Sequence, residues 1–134
     1  MRNMLVDSGW IVGLFDRNDQ HHQRAVELME SIDARLYTTW PVLTEVCHLL
    51  DYHPNAATDA LEWLMDARIH LADQSDDLFA IRAWMVRYRD TPMDLADASL
   101  MRVAEREGIT HILSFDSHFD AYRLPDGRPM MRTF

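Results

Sequence analysis

The chain has 134 residues, 48% of them apolar and few of them Gly or Pro, a composition that excludes a disordered chain and fits one domain with one core over residues 1–134. A net charge of −9 excludes a broad basic surface for duplex nucleic acid, and all thirteen basic residues are Arg, which removes any chemistry that depends on Lys. No apolar run is long enough to span a bilayer, Asp7 comes too early for a secretory leader, and the single Cys47 cannot close an internal disulfide; no membrane contact and a cytoplasmic location are therefore expected.

Taken in chain order, residues Asn3 to Val6 form a short apolar run that reads as a buried strand, with Asp7 at its carboxyl end. Ser8 follows as the expected N-cap of a helix carrying Trp10, Ile11, Leu14 and Phe15 at helical spacing. A second helix is predicted from about His21 to Ile32, and a second strand from Arg35 to Thr38. Thr39-Trp40-Pro41 reads as a helix start with Pro41 in the first turn. Glu45 projects from this helix, and Cys47 is expected to be a small core residue on it. His53-Pro54 closes it, and another helix runs from about Asn55 to Ala67.

Ile69 to Ala72 is a third short strand, and a long helix is predicted from Ser75 to about Arg89. Asp94 opens a further helix that runs from Leu95 to about Glu107 and stops at Gly108. His111 to Ser114 is a fourth strand running into Asp116, and Met130 to Arg132 is a final edge strand. Strands alternate with helices throughout. The expected architecture is an α/β three-layer sandwich, a central, mostly parallel sheet with helices on both faces. Sites in such folds form beyond the carboxyl ends of the strands.

Asp7 and Asp116 follow buried apolar runs at that rim. Glu45 and Asp97 lie in early turns of helices whose N-termini face the same rim. Carboxylates brought together raise one another's pKa unless a cation compensates. A divalent ion with a preference for oxygen, Mg²⁺ or Mn²⁺, meets that need, and it can activate a water for attack on a phosphodiester. Each acid also has an ordinary structural reading. Asp94 by itself reads as an N-cap rather than a ligand, Asp97 suits a helix dipole, Asp116 can end a strand at a turn, and Glu45 can sit on an exposed helix face. The histidines, His21, His22, His48, His53, His70, His111 and His118, lack ligand spacing and read as scattered surface or partly buried residues.

Leu5-Val6-Asp7-Ser8, Thr44-Glu45-Val46, Asp94-Leu95-Ala96-Asp97-Ala98 and Leu113-Ser114-Phe115-Asp116 with Phe119 span nearly the whole chain in order. As an ordered set they resemble the PIN-domain ribonucleases, in particular the VapC-type toxins of bacterial toxin–antitoxin pairs. The resemblance implies that Asp7, Glu45, Asp97 and Asp116 are the catalytic, metal-binding acids. It gives Asp94 an additional metal role through water, places Ser8 and Ser114 beside the substrate, and leaves Asp120 as a candidate extra acid outside the main set of four. It implies Mg²⁺- or Mn²⁺-dependent cleavage of single-stranded RNA, a homodimer, and an antitoxin that wraps a hydrophobic groove. Trp10, Leu14 and Phe15 are candidates for that groove, with core packing the stronger reading for at least two of them. Arg17, Arg87, Arg89 and Arg123 are candidates for contacts to phosphate.

Two other readings remain open at the level of sequence. A PIN-like binding module without turnover would keep the fold, although the intact acid set argues against it. An Asp-based phosphotransfer domain would also place an acid after the first strand. Such sites generally use a Lys to balance phosphoryl charge, and this chain has none.

Overall fold

The apolar run that opens the chain becomes the middle strand of a parallel sheet. In the computed structural model, which describes residues 1–133, β1 (Arg2–Val6) leads into α1 (Ser8–Phe15) and α2 (His22–Ser31). β2 (Ala34–Thr38), α3 (Trp40–Leu49), α4 (Ala56–Asp66) and β3 (His70–Leu71) follow, then α5 (Leu78–Arg87), α6 (Leu95–Glu107), β4 (His111–Leu113) and β5 (Met131–Thr133). The last position of the expected 1–134 domain lies outside the described residues.

The sheet order is β3-β2-β1-β4-β5, and all four strand pairings are parallel. Met4, Leu5 and Val6 are buried one after another. Successive residues of a strand point to opposite faces, so both faces of β1 are covered by helices, as in a three-layer sandwich. The chain builds outward from β1 through β2 to β3, then returns to the far side of β1 for β4 and β5. That reversal puts a topological switch point between β1 and β4. Their register pairs Leu5 with Ile112 and Val6 with Leu113, so the two strands end side by side.

Several local details depart from the expectations. Asp7, not Ser8, is the N-cap of α1: its side chain accepts a hydrogen bond from Ser8 N at 2.8 Å. The cause is the sheet, because Asp7 N donates to Leu113 O at 3.0 Å and holds Asp7 in the extended conformation that a cap requires. α5 begins at Leu78 rather than Ser75. Ser75 is turned back onto Asp73 through its backbone and hydroxyl, and Asp77 is buried between Arg102 and Arg106 at 3.2 and 2.7 Å. Cys47 is half-buried, not core; the buried positions around it are Val42, Leu43, Val46 and Leu50. Trp10 is wholly buried beside Trp63, which removes it from the candidate groove, whereas Leu14 and Phe15 are half-buried at the core's edge. Among the described residues, no helix is long and apolar enough to cross a membrane.

The stop of α6 is as read from sequence. Gly108 adopts φ 68°, and its N–H closes the helix onto Ala104 O. A Cβ at Gly108 would meet nothing within 4 Å, so only the left-handed backbone penalises a substitution there. Gly108→Ala is therefore expected to destabilise the fold by about 1 kcal/mol with its urea m-value unchanged. An equilibrium urea titration measures this, and a wild-type midpoint would refute it.

Candidate active site

The parallel register of β1 and β4 determines which carboxyl groups meet. Asp7 leaves the end of β1 beside Ser114 at the end of β4. Ser114 Oγ donates to Asp7 Oδ2 at 3.0 Å and accepts from Asp116 N at 3.0 Å. One buried hydroxyl thus ties the first acid to the loop that carries the last. Asp116 then caps the 3-10 turn Ser117–Asp120, accepting from His118 N at 2.8 Å. On the other flank Ser8 Oγ donates to Glu45 Oε1, which fastens α3 to the start of α1. Both serines predicted beside the substrate therefore commit their hydroxyl protons to carboxylates, and in this structure they hold the acids in place.

Asp97 comes from the first turn of α6. Asp94 is the cap of that helix, and its Oδ1 accepts from Asp97 N at 2.8 Å, as its sequence position alone implied. Tyr122 OH lies 2.9 Å from both Asp97 Oδ2 and Pro92 O. A phenol has one proton, so these two acceptors share it, and the ring pins Asp97 to the segment before α6. Thr39 and Ser99 share a 2.7 Å hydrogen bond that joins the start of α3 to α6.

The acids differ in environment. Asp7 and Asp97 are buried, Glu45 and Asp116 half-buried, and Asp94 exposed. Burial pushes the Asp7 carboxyl up to about 6; the bonds from Ser8 N and Ser114 oppose this, and the charges of Glu45 and Asp116 add to it. Burial pushes Asp97 further, to about 8, with Asp94 as the next cause and the Tyr122 bond as a partial offset. Burial and the neighbouring Asp97 likewise drive the Tyr122 phenol upward. Among the described residues, no salt bridge engages Asp7, Glu45, Asp94 or Asp97, and Asp116 pairs only with His118. Uncompensated buried carboxylates on a common rim are a donor set that fits a hard divalent cation.

Of the five acids expected from the sequence, Asp97 and Asp116 reach one common group of donor atoms, while Asp7 is coupled by charge to Glu45, Asp97 and Asp116, and Asp94 to Asp97. Asp120 is separate, since Arg132 grips both of its oxygens at 2.9 and 3.1 Å. Two contributors were not identified in the sequence. His118 joins the site, and single donor atoms of Asp97, Asp116 and His118 lie within 4.8 Å of one another. Its distance of two residues from Asp116 was the only available sign. Tyr122 carried no sign at all, because its partner is 25 positions away. An open depression of about 310 Å³ is lined by Pro92, Met93, Asp94, Asp97, Asp116 and His118. The arginines expected to meet phosphate do not line it. Arg87 lies over the rings of Trp84 and Tyr88, Arg89 Nε donates to Val86 O, Arg123 binds backbone oxygens of Asp120 and Tyr122, and Arg17 sits near the end of α1.

Comparison with known proteins gives a consistent picture. The family model of the PIN domain matches residues 4–124. Ribonuclease VapC13 of Mycobacterium tuberculosis and VapC ribonuclease Mb1869c of Mycobacterium bovis are each 31% identical over 127 residues, covering 89% of this chain and 94% of the relative. Among solved structures, the Sarcin-Ricin loop cleaving toxin VapC20 of Mycobacterium tuberculosis superposes with a TM-score of 0.82 at 25% identity, over 94% of this chain and 99% of that one. VapBC2 of Rickettsia felis, solved bound to a DNA fragment, reaches a TM-score of 0.60 at 11% identity over 86% of this chain and 88% of its own, a likeness of fold alone.

A carboxyl whose folded pKa lies above its unfolded value favours the fold only while protonated. The contribution of Asp97 is thus complete below about 4 and lost as pH rises through about 8; that of Asp7 is lost by about 6. In chelator, the thermal midpoint should fall between pH 4 and pH 8. Asp97→Asn should flatten that fall and be the more stable protein at pH 8, by a few kcal/mol. A variant no more stable than wild type at pH 8 would refute the buried-charge account.

Proposed function

The chain belongs to the PIN domain family, and on that premise we propose that it is a metal-dependent endoribonuclease acting on single-stranded RNA, the toxin of a toxin–antitoxin pair. The observation that carries the reading is the convergence of Asp7, Asp97 and Asp116 at the switch point between β1 and β4, two of them with raised pKa and, among the described residues, no ion pair except that of Asp116 with His118. Asp7, Glu45, Asp97 and Asp116 would hold Mg²⁺ or Mn²⁺, with Asp94 as an additional acid beside them. When bound, the ion supplies a water of lowered pKa and stabilises charge on the attacked phosphate.

The remaining work falls to the chain. Ser114 orients the Asp7 carboxylate, Tyr122 orients that of Asp97, and the backbone N–H groups of Asp97 and His118 hold the Asp94 and Asp116 side chains. Residues fixed in this way lose little freedom when they bind, so the acids are preorganised for an ion and a phosphate. His118 lies 3.2 Å from Asp116 Oδ2 through Nδ1, and an imidazole beside carboxylates favours Mn²⁺ over Mg²⁺.

Cleavage of an unstructured RNA in Mn²⁺ or Mg²⁺ tests the reading. Asp7→Asn should lower the rate by about a hundredfold or more, which is about 3 kcal/mol or more of lost charge stabilisation, and EDTA should abolish cleavage. Equal activity of variant and wild type would place the reaction elsewhere.

The same reading carries two protein partners, an antitoxin and a second copy of the chain. Net charge −9 suits a basic antitoxin segment, and the exposed Leu78 and Phe79 on α5 suit a protein contact. Sedimentation of the purified chain should give twice the 15.7 kDa of one copy; a monomer at micromolar concentration would exclude the dimer.

A further inference from the structure

A nuclease must hold its substrate as well as cut it, and His118 is the one basic side chain among the described residues that line the acid depression. It does adjoin a second depression, of about 510 Å³, between the starts of α3 and α6. Asp94 lines both. The second is walled by Trp40, Pro41 and Leu95 on the apolar side, with Glu45, His48 and Asp94 on the polar side. No arginine lines either one.

Trp40 is unlike the other tryptophans. Trp10 and Trp84 are buried and Trp63 is half-buried, each against another ring, whereas Trp40 is 64% exposed and stacks on no ring among the described residues. It is the first residue of α3, the helix that delivers Glu45 to the site. Exposing an indole costs free energy that a surface residue normally avoids, and here the exposed ring borders a cleft continuous with the acids.

We infer that Trp40 is a stacking platform for one nucleobase of single-stranded RNA beside the cleaved phosphodiester. The inference rests on the ribonuclease reading and adds a binding subsite to it. Stacking suits this protein because it needs no positive charge. Every base has a π-face, and a ring contact survives on a surface whose acids repel phosphate. The polar wall meets the edge of the base with donors and acceptors, Thr44 and His48 among them. Trp40 also borders an apolar depression formed with Leu43, Leu61, Leu64, Met65 and Leu71, the kind of surface a protein partner would cover. The continuity with Glu45 and Asp94 favours the base.

The test compares wild type, Trp40→Ala and Trp40→Phe on an unstructured RNA and on a set in which each nucleotide near the cleaved bond is made abasic in turn. Trp40→Ala should lose about tenfold in kcat/KM, and Trp40→Phe should stay near wild type. One abasic substitution should cost wild type a similar factor and cost Trp40→Ala nothing further. Quenching of indole fluorescence by a short oligoribonucleotide, absent in Trp40→Phe, reads the same contact without turnover. An unchanged Trp40→Ala, losses that simply add, or a loss that tracks a change in sedimented mass would overturn the inference; the last would assign the ring to a protein interface. A wild-type chain that binds the oligoribonucleotide through Trp40 yet cleaves nothing in Mn²⁺ or Mg²⁺ would sink the nuclease reading and leave the subsite standing.

Discussion

Like charges do not gather unless something holds them, and in this chain the holding device is the parallel pairing of β1 with β4. Val6 opposite Leu113 places Asp7 and Ser114 at neighbouring strand ends, and one hydroxyl then links the Asp7 carboxylate to the backbone of Asp116. The rest of the site is built onto that pair. α1 starts where it does because Asp7 is held extended by Leu113, α3 is drawn in through Ser8 and Glu45, and α6 delivers Asp97 against Tyr122. Without this register each acid would be an ordinary solvated carboxylate at a helix start or a turn.

The arrangement works against the stability of the metal-free fold. Burial raises the pKa of Asp7 and of Asp97, so near neutral pH Asp7 is ionised at a cost to the native state and Asp97 keeps a proton that the unfolded chain has released; both lower stability relative to pH 4. Functional sites commonly carry such local conflict, offset by consistency elsewhere. Here the offset comes from a core that fills both faces of β1 and from buried polar links such as Thr39 to Ser99 and Thr38 to Val6 O. The conflict also shapes recognition. Among the described residues no arginine lines the two depressions, so phosphate contacts there are few and a bound cation, ring surfaces and partners carry more of the affinity.

Much of the fold could be read from local patterns. The helix from Leu95 to Glu107 was legible in full because its cap Asp94 and its stop Gly108 are both local signals. The strands were legible as short runs between helices, and their parallel pairing was expected from the alternation, whereas the order β3-β2-β1-β4-β5 was not. Less legible were boundaries set by distant partners. α5 starts late because Asp77 is taken by Arg102 and Arg106 of α6. Ser8 loses the cap to Asp7 because a neighbouring strand fixes the backbone before it, and Cys47 falls just off the buried stripe of α3.

The sequence by itself determined which residues are able to act: acids after buried strands, acids in first helical turns, and no lysine to support a different chemistry. These are properties of residue type and of neighbours along the chain, so the sequence carries them in full. The tertiary structure alone decided what each acid experiences. Asp97 became the most perturbed carboxyl because of burial beside Asp94 and Tyr122, Asp120 was removed by Arg132, and His118 was added by a single turn of 3-10 helix. The physical reason is distance: desolvation and Coulomb coupling depend on separations in space between groups that lie far apart in the chain, and only packing sets those separations.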